Sequence, residues 1–425
     1  MRRKLPYIIV FMLIAWQTIL YAQQRFPQPE FESGYVYPEY QLSSPRNQIL
    51  EYLDVVVLLG VLIFTTHFTL KKRSRNAILW TSVFTVAYFG FYREGCICSV
   101  GSVQNVALAL FNEGYVLPLS ALLFFLLPLI FALLYGRQFC AGACPLGAIQ
   151  ELTGLYPVKI PVRVETFLSS IPYLYLGLSI LFAATDSQFI ICKYDPYVGI
   201  YRLNAPVNMV VFGLLLLISG IFVNRPYCRF LCPYGVILNW FSRFSRKHLS
   251  ITPDNCINCK LCEHSCPYNA ILPSTIDAPK EQTKNSRRRF LIYLLLIPLF
   301  IYGGIKLSER FSDDLATVHR DVRLSREIRL ENESRIRTIS QQAISFKESG
   351  LTLSELYDKE QLILARFSNG TPWLGAFLGL SLALGLLSLS IRREREEYLP
   401  HQGKCYSCGR CFEYCPIHIE KNTSA

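Results

Sequence analysis

Charge is scarce in this sequence. Asp, Glu, Lys and Arg make up 17% of 425 residues, against 51% hydrophobic, and mean hydropathy is +0.27. A soluble chain of this length needs more charge to cover its surface, so an ordinary soluble globular class is excluded. Methionine and histidine are also few, three and six, and the lack of a His cluster argues against direct copper carriage. No phosphate-cradling glycine loop, nucleotide fingerprint or Ser-His-Asp arrangement stands out, which leaves hydrolase and NTPase activities without support. The apolar runs contain few charges and no broken-helix pair with facing carboxylates, which disfavours an ion or solute transporter.

The formal net charge is +12, yet its placement argues against nucleic acid. The basic runs flank apolar stretches, and no aromatic-laced basic surface stands apart from them. Membrane lipid is the expected partner. A membrane span needs about 20 apolar residues. Eight segments come near that length: 6–22, 50–70, 77–92, 116–136, 165–184, 207–224, 290–306 and 372–391. Basic runs at Arg2–Lys4, Lys71–Arg75, Arg243–Lys247, Arg287–Arg289 and Arg392–Arg393 all fall on one face when the chain is threaded back and forth. The positive-inside rule makes that face the cytoplasm, and the expected location is a bacterial inner membrane. The first span resembles a signal peptide cleaved after Ala22, but Leu20 at the −3 position favours a retained helix. Cleavage would leave seven spans.

The expected class is an all-α polytopic membrane protein with a small cytoplasmic ferredoxin-like unit, the latter on the cysteine runs Cys256–Cys266 and Cys405–Cys415. Its divisions are an N-terminal helix or signal peptide 1–22, a periplasmic loop 23–49 and a membrane core 50–240. A first ferredoxin half 241–289, a helix 290–306, a periplasmic helical segment 307–371, a helix 372–391 and a second half 392–425 follow. Segment 313–346 is polar nearly all round, the pattern of a solvated helix or helical hairpin.

Cysteine is abundant, fifteen in all, in a chain too long for a disulfide-stapled secreted scaffold. Cys256-x2-Cys259-x2-Cys262-x3-Cys266-Pro267 and Cys405-x2-Cys408-x2-Cys411-x3-Cys415-Pro416 match the bacterial ferredoxin run. Zinc sites space two C-x2-C pairs across a longer loop instead. In two-cluster ferredoxins the fourth cysteine of each run ligates the other cluster. One [4Fe–4S] cluster is therefore expected on Cys256, Cys259, Cys262 and Cys415, and a second on Cys405, Cys408, Cys411 and Cys266. Two spans lie between the runs, and two crossings return the chain to the same face.

A second signature occurs twice. Arg137-Gln-Phe-Cys140-Ala-Gly-Ala-Cys144-Pro145-Leu-Gly147 aligns with Arg225-Pro-Tyr-Cys228-Arg-Phe-Leu-Cys232-Pro233-Tyr-Gly235. Each copy follows an outward-to-inward span, so a helix-pair unit has been duplicated. Cysteines four apart are expected on one helical face, and two copies supply the four thiolates that a cubane needs. A third iron–sulfur cluster on Cys140, Cys144, Cys228 and Cys232, near the inner leaflet, follows as an expectation.

These motifs in combination resemble the NapH/NosR/CcoG-type membrane polyferredoxins, over residues 77–270 and 400–418. The resemblance implies electron transfer between the quinone pool or cytoplasm and periplasmic metalloenzymes of anaerobic respiration, or service in metal-centre maturation. The chain departs from NosR-type members in three ways. Segment 23–49 is too short for their periplasmic flavin domain, no Ser/Thr-Gly-Ala-Thr flavin-attachment motif is found, and the second ferredoxin run lies beyond an extra helix pair.

Cys96, Cys98 and Cys192 fall on the outer side. Two readings stand: a redox cofactor with a fourth ligand not named by the sequence, or a disulfide from Cys192 to Cys96 or Cys98. His67, inside the second span, is a candidate for haem ligation or quinone chemistry, although it lacks a facing His. His264 and His418 lie within the cluster loops and read as tuning or solvent-facing groups. The function expected is an electron carrier linking a cytoplasmic or quinol donor to a periplasmic redox enzyme or carrier. The alternative is an accessory redox protein for maturation of a periplasmic metalloenzyme.

Overall fold

Inside a bilayer every backbone amide must be satisfied within its own segment, which makes helices the form of long apolar runs. The computed structural model describes residues 47–95, 98–251, 256–275, 283–333, 340–348, 352–388, 395 and 397–417. The expected first span, most of loop 23–49, Cys96 and His418 lie outside the described residues. Every feature below belongs to the unit Gln48–Ala425.

Four described helices are long and apolar enough to cross a membrane. They are α1 (Gln48–Leu70), α5 (Arg163–Ala184), α8, whose spanning part is Arg288–Arg310, and α9 (Leu353–Ser388). Shorter apolar helices include α3 (Leu119–Tyr135) and α6 (Val207–Phe222). The expected span 77–92 is built from α2 (Arg75–Thr85), capped by the Ser74 hydroxyl, and a π-helical stretch, Val86–Tyr92. Among the described residues, length and composition therefore single out four spans, where the sequence pattern places seven of its eight. The short helices have abrupt ends: Pro118 and Pro206 precede α3 and α6, and Gly136, at φ 78°, ends α3.

α8 (Thr283–Arg310) and α9 both overrun the expected boundaries 290–306 and 372–391. Small residues let the two backbones touch, with Gly304 against Gly375 and Gly379 against Phe300. Segment 307–371 is largely an extension of these helices plus shorter ones packed on them. Segment 313–346 is not polar all round: its Ala316 and Val322 form a small core with Ile363 and Phe367, and its Ile328 and Ala343 another with Leu356. Buried Glu360 accepts the Ser325 hydroxyl at 2.7 Å and pairs with Arg329 at 2.5 Å.

The two ferredoxin halves meet through a two-residue antiparallel sheet. β1 (Ile271–Leu272) pairs with β2 (Leu399–Pro400), Ile271 opposite Pro400 and Leu272 opposite Leu399. The His401 N–H donates to the Ala270 carbonyl at 2.7 Å, and the Thr275 N–H to the Arg395 carbonyl at 2.9 Å. Segments separated by α8 and α9 are thus joined beside the duplicated motifs.

Candidate metal centres

Two cavities lie in the joined halves. One is lined by Cys266, Cys405, Cys408 and Cys411, with Pro267, Tyr268 and Arg410. The other is lined by Cys256, Cys259, Cys262 and Cys415, with Ile257 and Tyr398. Each thus holds three thiols of one run and the fourth of the other. The loops share a backbone device: Asn258 and Lys260 in the first run, and Ser407 and Gly409 at the same places in the second, have positive φ. Left-handed residues at this spacing curl the chain around the cavity and turn amides inward, as where the Ser407 N–H donates to Cys405 Sγ at 3.4 Å. Burial pushes the Cys405 thiol up to about 12, so its thiolate requires a cationic partner such as iron. Four soft sulfurs around one cavity fit an iron–sulfur cubane. Among the described residues no three His, Cys, Asp or Glu side chains converge closely enough for a single ion.

The duplicated motif has a form that its spacing did not suggest. Cys140 lies in a π-helical turn, Phe139–Ala143, but Cys144 has extended backbone and caps α4 (Pro145–Thr153). Cys228 lies in the short helix Pro226–Phe230, while Cys232 caps α7 (Pro233–Ser242). Each pair therefore spans a helix break and does not share one helical face. The reason is the proline: a residue before Pro is pushed out of the α region, and Pro is well placed at the first helical position.

All four of these cysteines are buried. Three accept polar hydrogens: Cys228 from Gln150 Nε2 at 3.3 Å, Cys232 from the Gly235 N–H at 3.3 Å and Cys140 from Arg137 Nη2 at 3.7 Å. The copies also interlock reciprocally. A Cβ on Gly147 would lie 3.5 Å from Arg225 Nη1, and one on Gly235 would lie 3.3 Å from Arg137 Nη2. Each arginine thus covers the glycine of the other copy.

Glu151, in α4, ties these copies to the ferredoxin halves. Its Oε2 accepts Arg225 Nε at 2.8 Å and the Tyr268 hydroxyl at 3.0 Å. Its Oε1 accepts Arg75 at 3.1 Å and Arg410 at 3.2 Å. Burial alone would raise the pKa of this carboxyl; Arg225, then Arg410 and Arg75, reverse that and hold it at about 2. Nearby, Arg137 lies 4.2 Å from the Tyr406 ring, and the Tyr406 hydroxyl donates to the Cys228 carbonyl at 3.0 Å. Arg75 Nη1 donates to the Cys408 carbonyl at 3.1 Å. Sequence reasoning missed Glu151. The available signal was a lone acid seven residues beyond Cys144, in a chain whose repeated motif supplies arginines at matched places.

Cys98 and Cys192 flank Gly101; a Cβ there would lie 3.1 Å from Cys192 Sγ and 3.6 Å from the Cys98 carbonyl. Cys98 also lines a largely apolar cavity with Cys144, Leu58, Phe89, Phe124 and Phe139. His67 lies on the exposed face of α1 with its ring edge-on to Phe68, away from the three thiol cavities.

Comparison with known proteins agrees with the thiol chemistry. A family profile described as a 4Fe-4S binding domain matches residues 117–163 and 204–252, and a second of the same description matches 249–272. An uncharacterized protein of Methanocaldococcus jannaschii is 29% identical over 199 residues, 45% of this chain and 81% of that protein. The regulatory protein NosR of Stutzerimonas stutzeri is 28% identical over 53% of this chain and 34% of its own length. The methylamine utilization ferredoxin-type protein MauN of Paracoccus denitrificans is 28% identical over 35% of this chain and 55% of its own. The chain thus spans about a third of NosR and about half of MauN. No solved structure matches. By its paired 4Fe-4S domains, its apolar helices and these relatives, the chain is similar to the NosR-type 4Fe-4S membrane polyferredoxins.

Proposed function

We propose that this protein relays electrons across the bacterial inner membrane, from a cytoplasmic or quinol donor to a periplasmic redox partner of anaerobic respiration. Similarity to iron–sulfur electron-transport and regulatory proteins supports the general role. The observation that carries the finer reading is the series of thiol sites. The Cys256 cavity adjoins the Cys405 cavity through exchanged fourth cysteines, and the Cys405 run rests on the duplicated pairs through Tyr406, Arg137 and Glu151.

In this reading Cys256, Cys259, Cys262 and Cys415 hold one [4Fe–4S] cluster, and Cys405, Cys408, Cys411 and Cys266 a second. Cys140, Cys144, Cys228 and Cys232 hold a third near the inner leaflet. When bound, the clusters supply one-electron carriers. The protein's own part is to fix their spacing, to exclude water, and to aim N–H donors such as Gln150, Gly235 and Ser407 at sulfur, which favours the reduced form. In this reading both ferredoxin runs face the cytoplasm, by the placement of the basic runs, and Cys98, which shares a cavity with Cys144, leads from the third site toward Cys192 on the periplasmic side.

Iron and acid-labile sulfide analysis of anaerobically purified protein is expected to return three cubanes per chain. Cys266→Ala is expected to remove the cluster built on Cys405–Cys411; loss of the Cys256–Cys262 cluster alone would refute the exchanged ligand. Dithionite-reduced protein should be reoxidised rapidly by quinone analogues or by a periplasmic acceptor, and inertness toward all of them would count against a respiratory relay.

A further inference from the structure

Four tyrosines with buried rings stand around the duplicated cysteine pairs: Tyr197, Tyr201, Tyr227 and Tyr234. Two have conventional partners. The Tyr201 hydroxyl donates to the Pro145 carbonyl at 2.8 Å, and that of Tyr234 to the Phe125 carbonyl at 2.7 Å. The other two differ. Tyr197 and Tyr227 are 0% and 2% exposed, and neither hydroxyl has a hydrogen-bond partner among the described residues. Protein interiors contain few such groups, because an unpaired buried hydroxyl has lost its water and gained nothing.

Their placement points to what would satisfy them. The two rings meet edge to face with centroids 5.6 Å apart, so each fixes the other. Tyr227 precedes Cys228 on one short helix, and its N–H donates to Gln150 Oε1 at 2.9 Å while Gln150 Nε2 donates to Cys228 Sγ. Tyr197 lies within electrostatic reach of Cys228, and Tyr227 within reach of Cys232 and Cys98. The competing acceptor nearby is Asp195, whose Oδ1 takes the N–H groups of Tyr197 at 2.9 Å and Val198 at 3.2 Å; neither tyrosine hydroxyl is hydrogen-bonded to it.

We propose that Tyr197 and Tyr227 are positioning residues whose hydroxyls donate hydrogen bonds to sulfur of the cluster held by Cys140, Cys144, Cys228 and Cys232, and so raise its reduction potential. This rests on the assignment of that cluster made above. Reduction adds one electron and no proton; each phenol keeps its hydrogen and stabilises the extra negative charge spread over sulfur. Tyr201 and Tyr234, already committed to carbonyls, do not share this role.

The test is a redox titration followed by EPR on the full-length protein in detergent. Cys140→Ala identifies the titration step that belongs to the membrane site. Tyr197→Phe and Tyr227→Phe are each expected to favour the oxidised form of that step about tenfold, a fall of about 59 mV for one electron. Tyr201→Phe should leave it in place. If Cys140→Ala abolishes a step that both Phe variants leave unmoved, the tyrosine proposal fails alone. If Cys140→Ala keeps full iron content and every step, the cluster assignment itself fails. Should a Phe variant lose its ferredoxin signals, 3-fluorotyrosine at the same position gives the second readout. Its more acidic hydroxyl is a stronger donor and is expected to raise the potential; no change would overturn the proposal.

Discussion

The two ferredoxin runs have the same cysteine spacing, bury their third and fourth cysteines alike, and differ in what surrounds the rest of the loop. In the first, Cys259 is exposed and Cys256 half-buried, and Ile257 and Leu261 project outward at 63% and 46% exposure. In the second, Phe412 is buried, Tyr406 is sandwiched near Arg137, and Arg410 reaches into the Glu151 carboxylate. Identical spacing therefore dictates the shape of a loop and not its environment. The environment comes from what the loop rests on, here a patch of membrane-proximal arginines gathered by one buried acid. In the proposed relay the first run faces solution and the second forms the joint with the membrane core.

The contrast is most severely broken at Glu151. Glu151→Gln leaves Arg75, Arg225 and Arg410 without their shared anion, and breaking a buried pair typically costs about 3–5 kcal/mol. Iron is expected to fall at the second run and at the duplicated pairs while the Cys256–Cys262 signal survives, as read by EPR and iron content. The same carboxyl sets a pH dependence. Its folded value, about 2, lies below its ordinary value of 4.5, so its stabilisation is complete above the latter and is lost as pH falls through about 2. Thermal unfolding of the wild-type protein in detergent should show this slope, and Glu151→Gln should flatten it.

That residue also marks where the sequence stopped being legible. Cysteine spacing, the duplication and the apolar runs could be read because each is a local, periodic signal. Glu151 is a single acid whose meaning depends on Arg75, Arg225 and Arg410 arriving from three distant places, and no local pattern carries that. The helix break before Cys144 and Cys232 was legible in principle from Pro145 and Pro233, yet the i, i+4 spacing suggested a continuous face. The overrun of α8 and α9 is a different case: polar residues beyond an apolar run have no reason to stop a helix when neighbours such as Val322 and Ala316 cover it.

A smaller effect is expected where the two loops can be compared position by position. Gly409 sits at φ 79°, and a Cβ there would press on the Phe412 ring, 2.6 Å away. Gly409→Ala should cost about 1–2 kcal/mol for the left-handed backbone, in addition to whatever the Phe412 contact costs. Lys260 occupies the matching place at φ 63° in the exposed run, so Lys260→Gly should be neutral or stabilise by up to about 1 kcal/mol. Thermal shift of the two variants measures both. Between them falls Tyr406→Phe, which removes the hydrogen bond to the Cys228 carbonyl and should cost about 1 kcal/mol, seen as faster loss of the second cluster on exposure to air.

The pairing of β1 with β2 has a consequence for biogenesis. Residues 271–272 are synthesised well before residues 399–400, and two helices long and apolar enough to cross a membrane intervene. Neither ferredoxin cavity has its full set of thiols until the later segment has emerged and folded back. A ribosome-bound intermediate would expose incomplete thiol sets, so in the proposed topology metal loading would wait on insertion of the α8–α9 hairpin, and a chain whose hairpin fails to insert would not present a finished site.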